Sequence, residues 1–116
     1  MPGWIETVSH IRAVLFEEDE WWSAQCLDYD IAAQAKTLLD LHDELIRILA
    51  VHVAASAQLG REPFEGVKSA PRKFWDLYES GWRLESKPVP FRIEKGQTLP
   101  LITPELRVAR SPLPGV

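Results

Sequence analysis

The chain has 116 residues, 46% of them hydrophobic, with five Trp and four Phe, which is enough for one modest core and too little for two. This composition excludes a disordered chain, and no apolar run approaches the roughly 18 residues that a membrane-spanning helix needs. The net charge of −4 is divided unevenly, with ten acids and three bases in residues 1–60 against seven acids and ten bases in residues 61–116. An acidic first half argues against a phosphate backbone as its ligand and suits a basic protein partner.

Residues 10–17 (His-Ile-Arg-Ala-Val-Leu-Phe-Glu) are rich in β-formers and read as a strand, with Val14 and Phe16 on one face and Ala13 and Leu15 on the other. After the polar turn Glu18-Asp19-Glu20, alternation resumes over 21–27. Trp22, Ala24 and Cys26 share one face; Trp21, Ser23 and Gln25 share the other. Two strands around a short polar turn make a hairpin. Residues 31–35 form a third, short strand.

The period then changes at Thr37. Leu38, Leu41, Leu45, Ile48, Leu49 and His52 recur at three- and four-residue spacing, the stripe of an amphipathic helix. Thr37 suits its N-cap, with Asp40 in the capping-box position, and Gly60 suits its end. Outside the stripe, Ile46, Ala50, Val51 and Val53 leave a second apolar surface that needs cover from the downstream chain or from another subunit.

Beyond Gly60 the composition shifts. Residues 61–70 read as a loop, and Pro71 is placed to start a short aromatic helix suggested by Phe74, Trp75, Leu77, Tyr78 and Trp82 and ending near Gly81. Residues 89–94 suit an edge strand between prolines. The last twenty residues, with Pro100, Pro104, Pro112 and Pro114, read as an extended segment draped over the body or a neighbour. The aromatic, proline-rich second half is expected to cover the extra apolar face of the long helix.

The segment 26–37, Cys-Leu-Asp-Tyr-Asp-Ile-Ala-Ala-Gln-Ala-Lys-Thr, resembles the HicB-like antitoxin family, in which a Cys-Pro-Glu-Leu-Asp-type turn leads to an Ala/Ser-Gln-Gly-Asp/Lys-Thr strand end and a helix. Upstream, Phe-Glu-Glu-Asp-Glu-Trp-Trp-Ser-Ala at 16–24 is similar to that family's acidic hairpin and aromatic second strand. The resemblance covers residues 10–60. It departs from the family at Leu27, where a proline is usual, and at Ala35, where a glycine is usual.

The resemblance implies a β-β-β-α unit completed by a further strand, as in a partial double-stranded-RNA-binding-domain arrangement. It also implies an antitoxin that binds and neutralises a small basic ribonuclease toxin. The second half matches neither DNA-binding domain that family members often carry at the C-terminus. The expected architecture is α+β: an antiparallel sheet of three to four strands packed by one long helix, with a second short helix. Residues 1–95 form the domain and 96–116 the extended tail.

Glu17, Glu18, Asp19 and Glu20, with Trp21 beside them, are the candidate partner-binding residues; they also fit a solvated turn or an oxygen-rich cation site. Ile46, Ala50, Val51, Val53 and Trp75 are the candidate self-association residues, for a homodimer or tetramer. His42 and His52 are ten apart rather than the four of a zinc-protease helix. Cys26 lacks a base tied to it by any motif and reads as a small buried residue. No catalytic signature and no cofactor are expected. The Trp and Tyr residues read as core and contact aromatics, and too few Arg and Lys interleave them for a nucleic-acid platform. A single cysteine, and a first segment without the basic flank and apolar core of a signal peptide, point to the cytoplasm. Two other readings are a structural homo-oligomer and a small-molecule or metal-dependent enzyme, its pocket between helix and sheet, in which Glu17, Glu18 or Asp43 converges with His42.

Overall fold

A computed structural model describes residues 8–84, 89–90 and 101–110. Elements follow in the order β1 (Val8–Glu18), β2 (Trp21–Cys26), β3 (Ala32–Ala35), α1 (Leu38–Gln58), α2 (Arg72–Glu79), β4 (Trp82–Leu84), β5 (Val89–Pro90) and β6 (Leu101–Val108). The chain is α+β, as its alternating and helical periods require, with a long helix followed by a short one. All six strands join one sheet in the order β3-β2-β1-β6-β4, with β5 also on β6.

The sheet is larger than the three to four strands expected, and it is mixed rather than antiparallel, because β6 runs parallel to β1 from Val8 opposite Leu101 to Leu15 opposite Val108. Within the segment 96–116 expected as an extended tail, residues 101–108 form a strand between β1 and β4; residues 96–100 and 111–116 lie outside the described residues. Of the strand expected over 89–94, Val89 and Pro90 lie within the described residues, where they pair with Ile102 and Leu101.

Strand β1 is interior and buried on both faces, which accounts for its near-continuous apolar run. Ile11, Ala13 and Leu15 point to one side, where Ala24, Cys26, Ala33, Leu41, Leu45, Leu49, Val53 and Leu106 complete the larger core. Val14 and Phe16 point to the other, where Leu27, Ala70, Leu77 and Tyr78 form a smaller one. Helix α1 lies over β3 and β2, and α2 crosses β1 on the opposite side. The aromatic helix therefore does not cover α1. Cover near that helix comes instead from Phe64 and Val67 in the 61–70 segment, with Phe64 stacked on Tyr29 at 4.5 Å between ring centres.

Helix α1 begins as its sequence demands. The Thr37 hydroxyl accepts the Asp40 backbone N–H at 3.1 Å, satisfying one of the donors that every helix start leaves free. At its other end Gly60 takes a positive φ of 68°, the conformation that suits the residue after a helix. Ala35 does not have a positive φ; among the described non-glycine residues only Asp19 and Phe64 do. At Leu27, the backbone N–H donates to the Arg12 carbonyl at 2.8 Å, a bond no proline could make.

Candidate functional site

The acidic hairpin stands at one end of the sheet. Glu18 pairs with Trp21 and Glu17 with Trp22, and the turn between is made by Asp19 in the left-handed region, which Asp tolerates better than most residues. Glu17, Asp19 and Glu20 are exposed and Glu18 is half-buried. None of these four carboxylates has an ion-pair partner among the described residues. Lys36 lies with its Nζ 4.0 Å from the centre of the Trp21 ring. Trp21 remains 40% exposed. The five residues thus form a negatively charged tip, largely exposed, with an aromatic side chain beside the turn.

The five candidate self-association residues do not share a surface. Val53 is 1% exposed and belongs to the larger core. Ile46 and Ala50 are half-buried against that core, and Val51 is 56% exposed. Trp75 lies on the other face of the sheet, packed against the smaller core. Val53 continues the four-residue series Leu41, Leu45, Leu49 that α1 buries, a spacing that helical periodicity puts on one face.

The residues around Trp75 form a structured polar cluster that the sequence did not reveal. Asp28 accepts from the Arg12 backbone N–H at 2.9 Å, from its Nε at 3.4 Å and from its guanidinium Nη2 at 2.6 Å. The same guanidinium stacks 4.6 Å from the Trp75 ring centre, and the indole N–H donates to the Ala70 carbonyl. Burial pushes the Asp28 carboxyl upward, but the bonds from Arg12 outweigh it and hold the group below the usual carboxylate range. The hydrogen bond to Asp28 in turn raises Arg12. Beside Trp75 an open groove of about 440 Å³ is lined by Ala70, Arg72, Trp75, Asp76 and Glu79. Its walls carry both signs of charge, Arg72 against Asp76 and Glu79.

Arg107, on β6, stacks on Tyr78 at 4.4 Å and donates to the carbonyls of Tyr78 and Glu79, capping α2. Cys26 is fully buried, and burial pushes its thiol up to about 12, so it is not a thiolate at neutral pH. His42 contacts its neighbour Asp43 at 3.4 Å, and His52 packs near Phe64. Of the carboxylates named with His42, Asp43 touches it as its chain neighbour, and among the described residues no three of His, Cys, Asp or Glu are grouped so as to hold a metal ion. No helix among them is long and apolar enough to cross a membrane.

No family model matches this chain, and no curated protein or solved structure is significantly similar to it.

Proposed function

We propose that this chain is a protein-binding module of the HicB-like antitoxin type, which docks a small basic protein on its acidic hairpin and works in the cytoplasm. The observation that carries the reading is the hairpin tip: four carboxylates without ion-pair partners among the described residues, next to a 40% exposed Trp21. Uncompensated like charge destabilises a free protein and favours a complex with the opposite charge, because complementary fields speed encounter and reject wrong partners. An exposed Trp beside such charges supplies the aromatic anchor that interface hot spots favour. The resemblance of residues 16–24 and 26–37 to the antitoxin family supports the same partner chemistry, a short basic ribonuclease. The mode of action is occlusion: a negatively charged tip covers the basic surface with which such an enzyme holds RNA.

Affinity purification of the full chain from its native cell, followed by mass spectrometry, tests this. The expected result is one short, basic protein, toxic when expressed alone and harmless when this chain is co-expressed. Recovery of the chain without such a protein, or of a partner whose toxicity the chain leaves intact, overturns the reading.

A further inference from the structure

The hairpin is one exposed feature of the sheet; the edge on β3 is another. Strand β3 ends the sheet, and among the described residues nothing pairs with its outer side. Which backbone groups face outward follows from two hydrogen bonds. The Cys26 N–H donates to the Ile31 carbonyl at 2.9 Å, in the register that also sets Ala33 opposite Ala24 and Ala35 opposite Trp22. In an antiparallel ladder the residues that exchange bonds alternate with those that do not. Ala33 and Ala35 thus turn their N–H and C=O toward β2, as Ile31 turns its C=O while its N–H donates to the Tyr29 carbonyl at 2.7 Å, and Ala32, Gln34 and Lys36 turn theirs outward. Asp30 agrees with this parity, since its N–H points away from β2 to the Lys68 carbonyl at 2.6 Å.

We infer that this edge pairs with the same edge of a second copy, antiparallel about a two-fold axis, with Gln34 opposite Gln34 and Ala32 opposite Lys36. A two-fold pairing must match outward residues with outward residues, so the register is limited to even steps. Registers that set Lys36 or Gln34 opposite Asp30 are closed, because Lys68 already occupies that position. A register sliding further the other way sets Ala32 opposite Leu38, where the strand has given way to α1. The remaining register engages Ala32, Gln34 and Lys36 of both copies.

Charge favours a second copy of this chain as the occupant. In this register each Lys36 lies diagonally across from the other copy's Asp30 on the same face, within reach of a long side chain. Neither residue has an ion-pair partner within its own chain among the described residues; the Asp30 carboxylate receives only the Gln25 amide, at 2.8 Å. The other face of β3 carries Ala33 and Ala35 into the larger core under α1, so pairing extends the sheet and sets the two α1 helices on one side of the seam. The hairpin acids take no part in it.

Sedimentation equilibrium of the full chain at micromolar concentration tests the pairing. The wild type is expected to be a dimer. Gln34→Pro removes an outward N–H and none that bonds β2, and is expected to give a monomer with an unchanged circular dichroism spectrum. Should that variant not fold, the charges decide. Asp30→Lys and Lys36→Asp are each expected to raise the dimer dissociation constant roughly fivefold at low salt, and the double variant to restore it. A monomeric wild type, a dimer indifferent to these changes, or a double variant no tighter than the singles overturns the inference. Charge reversal at Glu17, Glu18 and Glu20 leaves the dimer intact while abolishing partner capture, so the two proposals fail separately.

Discussion

The Asp28 carboxylate accepts three hydrogen bonds from one residue, Arg12, and so ties the loop after β2 back to β1. Removing it in Asp28→Ala leaves a part-buried backbone N–H and a guanidinium without their acceptor. The expected loss is roughly 2 kcal/mol, read from urea denaturation at neutral pH. Because the folded-state carboxyl is held below its ordinary range, its contribution is present above that range and is lost as pH falls through the depressed value. The stability gap between wild type and Asp28→Asn therefore narrows on acidification below the usual carboxylate range; a gap that widens there contradicts the assignment. Cys26 gives a second residue-scale test. Its buried thiol, pushed up to about 12, is expected to react with a thiol reagent only on unfolding, so the reaction rate in native buffer follows the opening of the larger core.

Among the elements, α1 and the hairpin were legible because their signals are local: a 3.6-residue stripe behind a Thr37 cap, and strict alternation around a polar turn. The two-sided burial of β1 could also be read, since Val14 and Phe16 alternate with Ala13 and Leu15 and all four are apolar. Strand β6 was hidden by its proline. In it Pro104 and Leu106 are buried and alternate with exposed Glu105 and half-buried Arg107, a strand pattern interrupted by a residue that ordinarily leaves sheets. Pro104 is tolerated because β5 and β4 pair with β6 in registers that differ by one residue. It sits at that break, where a missing N–H takes nothing from either paired segment. Phe64 was also missed, since a positive φ of 63° in an aromatic residue is fixed by its stacking on Tyr29, a contact made far along the chain. The junction of α2 and β4 is the tightest. A Cβ on Gly81 would lie 2.9 Å from the Val108 carbonyl oxygen and 3.1 Å from the Arg107 Cβ. Gly81→Ala is expected to cost about 1–3 kcal/mol in thermal or urea unfolding, whereas at Gly66 crowding plays no part because nothing lies within 4 Å.

At the scale of the whole molecule, a parallel pair of strands separated by most of the chain, β1 and β6, forms the centre of the sheet. Such a long-range contact leaves no periodic trace in sequence, which is why the mixed sheet could not be read and the three-strand hairpin unit could. The same arrangement leaves the acidic hairpin projecting at one end and sets the self-association candidates on opposite faces. The charge imbalance of the first sixty residues was visible from composition; that the hairpin acids lack ion-pair partners among the described residues became visible only in three dimensions. The proposed function requires that this tip, and not the exposed flank of α1, receives the basic partner. A photo-crosslinking amino acid placed at Trp21 or, separately, at Val51, followed by mass spectrometry of crosslinks formed in the native cell, tests it most directly. The expected result is a crosslink to one short basic protein from position 21 and none from position 51; crosslinking from position 51 alone, or equally from both, contradicts the claim.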